Sequence, residues 1–126
     1  MIADTTFVSD FLKEERAGQI GPAGRLMASH RNQKIRLTII SVGELLAWYV
    51  DSDSGWRALA RWPFYRLHPG IVTAAANIDR ALIAQGQRLG ENDNWIAGFA
   101  AYYREPIISR DEGFDRVPGV RRIAYG

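Results

Sequence analysis

Along this chain, short apolar runs alternate with longer stretches in which apolar side chains recur every three or four residues. The first run, Met1-Ile-Ala-Asp4, is too short for a helix and reads as a brief buried strand ending at Asp4. Val8, Phe11 and Leu12 then keep helical spacing, with Thr5, Thr6 or Ser9 available as caps. Gly18 to Pro22 breaks that helix, and Pro22 opens a second one through Leu26, Met27 and His30. After a polar turn at Arg31–Lys34, Arg36–Ser41 reads as the clearest strand, and Leu45, Leu46, Trp48 and Tyr49 as a helical face. Asp51–Gly55 is expected to be a turn, Trp56–Trp62 a short helix stopped before Pro63, and Phe64–Leu67 an edge strand closed by His68–Gly70. Ala74–Arg88 reads as a helix and Gly90–Asp93 as a turn with Asp93 at a cap position. Trp95, Ile96, Phe99, Ala100 and Tyr103 mark a further helix. Pro106–Ser109 and Val120–Tyr125 supply the last strands. Strands alternating with helices predict one α/β domain over residues 1–126, a three-layer α/β/α sandwich around a mostly parallel sheet.

Composition narrows the chemistry. With 126 residues and 47% apolar content, the chain can bury a core without covalent staples. It has no cysteine, which removes thiol catalysis, zinc–thiolate sites and disulfides, and suits a reducing compartment. No segment reaches membrane-spanning length, and Met1-Ile-Ala-Asp4 is unlike a signal peptide, so a cytoplasmic location without membrane partners is expected. The net charge of +2 is too small to argue for nucleic acid.

The acids say more. Asp4, Glu44 and Asp111 each fall at or just past the carboxyl end of a predicted strand, and Asp93 falls at a helix start. Ligands of open parallel sheets bind beyond those strand ends, so the four side chains are expected to meet. Singly, each has a plainer account: Asp93 as a helix cap, Glu44 as a first-turn residue favouring the helix dipole, Asp111 as a turn former. Asp4 resists that treatment, because a buried carboxylate without a partner is costly. Together they form an all-oxygen donor set of the kind that holds Mg²⁺ or Mn²⁺, suited to phosphoester hydrolysis.

The motifs around these acids resemble those of PIN-domain ribonucleases, and among them the VapC-type toxins of toxin–antitoxin pairs. Ile2-Ala-Asp4-Thr-Thr is similar to the family's opening Asp-Thr signature, and Ile39-Ile-Ser-Val-Gly-Glu44-Leu to its glutamate motif. Leu89-Gly-Glu-Asn-Asp93-Asn-Trp-Ile-Ala-Gly is similar to its Gly-x-x-Asp element, and Ile107-Ile-Ser-Arg-Asp111 through Gly119 to its final segment. The chain departs from the pattern at Thr6, Gly43 and Trp95, the last standing where a smaller aliphatic is usual.

The resemblance implies an endoribonuclease dependent on Mg²⁺ or Mn²⁺, an RNA substrate, a VapB-type antitoxin protein as partner, and a homodimer. It implies Asp4, Glu44, Asp93 and Asp111 as metal-binding and catalytic residues, with Asp115 as the alternative to Asp111. An RNA-processing nuclease without toxicity and a catalytically silent binding module are the competing readings. Thr5 is a candidate hydroxyl partner for Asp4 or for a water of the site. Arg80, Arg88, Arg104, Arg110 and Arg116 are candidates to steer the RNA backbone, Arg110 first among them. His30 and His68 are expected to be surface or packing residues. The aromatics Trp48, Tyr49, Trp56, Trp62, Phe64 and Tyr65 are divided between core and a partner surface.

Overall fold

The computed structural model describes residues 1–126. Five two-residue strands, β1 (Ile2–Ala3), β2 (Leu37–Thr38), β3 (Phe64–Tyr65), β4 (Ile107–Ile108) and β5 (Arg122–Ile123), pair in parallel throughout. A bridge between Ile2 and Arg36, with Ala3 N donating to Arg36 O at 2.9 Å, joins β1 to β2. The strand order is therefore β3-β2-β1-β4-β5.

Alternation along each strand divides the core in two. Ala3, Leu37 and Ile108 face one side, where they pack with Phe7 and Val8 of α1 (Thr5–Ala17) and Leu26 of α2 (Pro22–Ser29). The same cluster holds Val42 and Leu45 of α3 (Ile39–Leu46) and Leu59 of α4 (Ser52–Leu59). Ile2 and Ile107 face the other side, against Ile71, Ile78 and Leu82 of α5 (Pro69–Ala84) and Ile96, Phe99 and Ala100 of α6 (Glu91–Tyr103). This is the expected three-layer sandwich. The chain steps from β1 out to β3 and then returns past β1 to β4. Because parallel crossovers keep one hand, that reversal moves the connecting helices to the opposite face. It also opens a crevice between β1 and β4, where a sheet of this kind binds its ligands.

Several element boundaries differ from the sequence reading, and capping explains most of the differences. Arg36–Ser41 is not one strand. Thr38 accepts a hydrogen bond from Ser41 N at 3.2 Å and starts α3 at Ile39, so the β-branched pair Ile39-Ile40 is helical. Asp51 likewise accepts from Ser54 N at 2.7 Å, and the expected turn becomes the first half of α4. His68 accepts from Gly70 N at 3.1 Å, so α5 starts at Pro69 rather than Ala74, and it ends at Ala84. The cap of α1 is Asp4 itself rather than Thr5, Thr6 or Ser9, its Oδ1 accepting from Phe7 N at 2.8 Å. Gly90 occupies the cap position of α6, and Asp93 lies in its first turn.

Near the far end of the sheet from the crevice, Tyr65 and Tyr103 stack at 3.9 Å, and Tyr65 donates to Glu105. No helix is long and apolar enough to cross a membrane.

Candidate active site

Asp4 and Asp111 flank the crevice, one following β1 and the other following β4. Asp4 is only 5% exposed. Burial is the main cause holding its carboxyl above the usual carboxylate range. The Ser109 hydroxyl and Phe7 N–H pull it down, and the charges of Asp111 and Asp10 push it up again. Ser109 is fully buried between the two acids, and its hydroxyl also accepts from Asp111 N at 2.9 Å. Asp111 is exposed, and its Oδ1 accepts from Gly113 N at 2.8 Å, capping a 3-10 helix over Glu112–Arg116.

Glu44 reaches the same region from the second turn of α3, not from the strand end or first turn expected from the sequence. The Thr5 hydroxyl donates to Glu44 Oε1 at 2.7 Å and lies 3.0 Å from the Ser41 hydroxyl. Thr5 thus serves the site, but through Glu44 rather than Asp4.

Asp93 shows that these groups share one electrostatic space. Its pKa is pushed from the usual 3.8 up to about 6, first by partial burial, then by the charges of Asp111, Asp4 and Glu44. Asp93 also lies within hydrogen-bonding reach of Asp111. Asp115, the alternative fourth acid, is turned elsewhere: both its oxygens accept from Arg122, each at 2.9 Å, which holds its carboxyl below the usual range.

An all-carboxylate donor set of this charge fits a hard divalent cation and suits neither a soft metal nor an anion. The fit is one of charge and donor type. The side chains influence one another across the crevice, yet no three of them already converge as a metal-holding group.

The basic side chains are more engaged than the sequence suggests. Arg110 pairs with Asp10 at 2.6 Å and lies over the Tyr125 ring at 5.0 Å, while the Tyr125 hydroxyl donates to Asp10 at 2.8 Å. Arg88 forks onto Asp79 at 2.9 and 3.1 Å, and Arg80 bonds Asn77. Arg104 caps the carboxyl end of α6, about 16 Å along the helix from Asp93 near its amino end. Both histidines have structural partners: His30 Nδ1 lies 2.9 Å from Leu26 O, and His68 caps α5.

Sequence reasoning missed Ser109, Ser41 and Asp10. Ser109 alone offered a signal, as a polar residue closing an apolar strand two positions before a candidate acid.

Residues 1–120 match the family model described as PIN domain. The chain belongs to the PIN-domain family. Solved structures share its fold across nearly the whole chain. The Rickettsia felis VapBC2 complex bound to a promoter DNA fragment aligns with a TM-score of 0.80 at 15% identity, covering 99% of this chain and 98% of that one. The DNA-bound Salmonella typhimurium VapBC gives 0.79 at 16% identity, covering 98% and 96%. VapBC-1 from nontypeable Haemophilus influenzae gives 0.74 at 20% identity, again covering 98% and 96%. At these identities the likeness of this PIN domain to them is one of fold. No curated protein matches its sequence.

Proposed function

We propose that this PIN domain is a metal-dependent endoribonuclease and the toxin of a VapBC-type pair, with Asp4, Glu44, Asp93 and Asp111 holding Mg²⁺ or Mn²⁺. The observation that carries the reading is the placement of Asp4 and Asp111 at the ends of the adjacent strands β1 and β4, with Asp93 and Glu44 near enough that the charges of the other three acids add to burial in raising the Asp93 pKa. A partly buried carboxylate crowded by other carboxylates is a poor arrangement for a structural role and a good one for receiving a cation.

When bound, such a cation polarises a phosphodiester and steadies the leaving oxygen. The protein's own residues do the rest. Asp4, tied by Phe7 N–H and Ser109, presents a fixed carboxylate at the end of β1. Glu44, aimed by Thr5, completes the donor set or accepts a proton from the attacking water. Asp93, raised to about 6 by burial and by its acidic neighbours while no cation is bound, is the carboxylate whose charge a cation would stabilise most directly. Asp111 sits at the exposed rim, where substrate enters. Hydrolysis by this route leaves a 5′-phosphate and a 3′-hydroxyl.

The partner follows from the exposed aromatics. Trp48 is 61% and Val50 94% exposed at the end of α3, beside a cleft of about 80 Å³ that includes Leu12, Leu45 and Tyr49. An amphipathic antitoxin segment suits that face. Trp62, by contrast, belongs to the core.

The test is cleavage of total RNA with Mg²⁺, with Mn²⁺ or with EDTA, by the wild type and by folded Asp4→Asn and Glu44→Gln. Cleavage is expected only for the wild type with metal, and retained activity in either variant would overturn the assignment. Growth arrest on expression, relieved by a small protein encoded beside it, separates a toxin from a processing enzyme.

A further inference from the structure

A cavity of about 340 Å³ lies between α5 and the first turn of α6, and the proposed catalysis makes no use of it. Its size falls at the low end of the roughly 300–1,000 Å³ typical of small-ligand sites. Val72, Ala76, Leu89 and Trp95 supply its apolar walls. We propose that it is a base-binding subsite, in which Trp95 stacks on an unpaired nucleobase of the RNA whose backbone crosses the carboxylates; this rests on the nuclease reading above.

Position is the first argument. Glu91 lines both this cavity and the acidic recess formed with Glu44, Gly90, Asn92 and Asp93. Asp93 and Trp95 stand two residues apart near the start of α6 and point about 200° apart around its axis, so the two sites are separated by roughly a helix width, about 10 Å. Gly90 lines the recess and follows Leu89 of the cavity, and apart from its chain neighbours no atom stands within 4 Å of where its side chain would be. The rim between the two sites thus carries no side chain at Gly90.

Chemistry is the second. The protein's aromatic pairs join Phe7 to Tyr125, Phe11 to Trp62 and Trp56 to Phe64, and link Tyr65, His68, Tyr102 and Tyr103 to one another. Trp95 is in none of them, so its half-buried indole has no stacking partner within the chain. Splayed single-stranded bases stack on side chains of this kind. Around the cavity, the Asp79–Arg88 fork provides acceptors and donors to a base edge. Asn94 donates from Nδ2 to Ala75 O at 3.0 Å, while its Oδ1 is shielded from solvent with no hydrogen-bond partner.

The experiment is an NMR titration of the isotope-labelled protein in EDTA with each of the four nucleoside 5′-monophosphates. The Trp95 indole N–H and the Ala75 and Ala76 methyls should shift, with affinities that differ among the bases, while the indoles of Trp48, Trp56 and Trp62 stay in place. Trp95→Ala should weaken binding by roughly 5- to 150-fold, the range seen when stacking aromatics are removed, and Trp95→Phe should retain most of it. In mapped digests of mixed RNA, Trp95→Ala should lose a base preference at one position beside the cut. An unmoved Trp95 indole at millimolar nucleotide overturns the subsite, as does equal binding by folded Trp95→Ala. Should the wild type cut no RNA with any metal, the nuclease reading falls, and the metal-free titration still decides the cavity.

Discussion

Replacing Asp93 by Asn should stabilise the protein while destroying its proposed activity, and the size of the gain follows from the crowding of charge. In the folded state burial and the charges of Asp111, Asp4 and Glu44 raise the Asp93 pKa from 3.8 to about 6. Each pH unit between those values corresponds to about 1.4 kcal/mol, so the ionised form is disfavoured by folding by about 3 kcal/mol before allowance for solvent. Asp93 is only partly buried, and screening reduces the expected gain to about 1–2 kcal/mol. The sign follows from the raised pKa. Below pH 3.8 the carboxyl is neutral in both states, and Asp and Asn should be nearly equivalent. Between pH 3.8 and about 6 the unfolded chain ionises this carboxyl while the folded state holds its proton, so the advantage of Asn should grow across that window and level off above it. Urea unfolding of the wild type and Asp93→Asn in EDTA, from pH 3.5 to 8, measures this directly. Mg²⁺ should narrow the gap at pH 7.5 by stabilising the wild type alone. A variant no more stable than the wild type at pH 7.5, or a gap independent of pH, would refute the claim that the four acids share one field.

Three further substitutions probe the elements that build the crevice. Thr5→Val keeps the shape of a buried side chain but removes the hydrogen bond to Glu44, and should cost about 1.5–3 kcal/mol of either stability or transition-state binding, read from urea unfolding and from the RNA cleavage rate. Glu14 receives the N–H groups of Gly21, Ala23 and Gly24 at 2.7, 3.0 and 2.8 Å; burial opposes its charge, but these bonds prevail and hold its carboxyl below the usual range. Its contribution is therefore present above pH 4.5 and lost as the pH falls through the lowered pKa, so Glu14→Gln should cost about 1 kcal/mol at pH 7 and less in acid, by the same unfolding assay. Gly98→Ala would set a Cβ 2.8 Å from Ala75 Cβ and 3.1 Å from its backbone, forcing α5 and α6 apart; a loss of about 1–3 kcal/mol in thermal unfolding is expected, and an unchanged midpoint would contradict the close packing.

The layers of the fold were legible because they rest on periodicity over many residues. The apolar stripes of α1, α5 and α6 and the buried pairs Ile2-Ala3 and Ile107-Ile108 could be placed without knowing their partners. Boundaries were less legible because single side chains decide them. The β-branched residues Ile39-Ile40 favour a strand by propensity, and one Thr38 hydroxyl overrides them by capping α3. The engagement of Arg110 was hidden for a different reason: Asp10 lies one hundred residues away and meets it only because β4 returns beside β1.

The acids show why capping and function should not be weighed against each other. In the sequence alone a helix-cap role competes with a ligand role for Asp93, and a turn role with one for Asp111, as though one excluded the other. In the structure Asp4 and Asp111 are both caps and both at the crevice. A cap ties one carboxylate oxygen to a backbone N–H at a fixed distance, 2.8 Å in each case, which restrains the side chain and leaves its second oxygen free of that bond. That is the preorganisation a metal site needs from its ligands. Asp93 lacks such a bond and depends on its neighbours for its charge state. The capped acids are thus the rigid half of the proposed site, and Asp93 is the half that cation binding would change most.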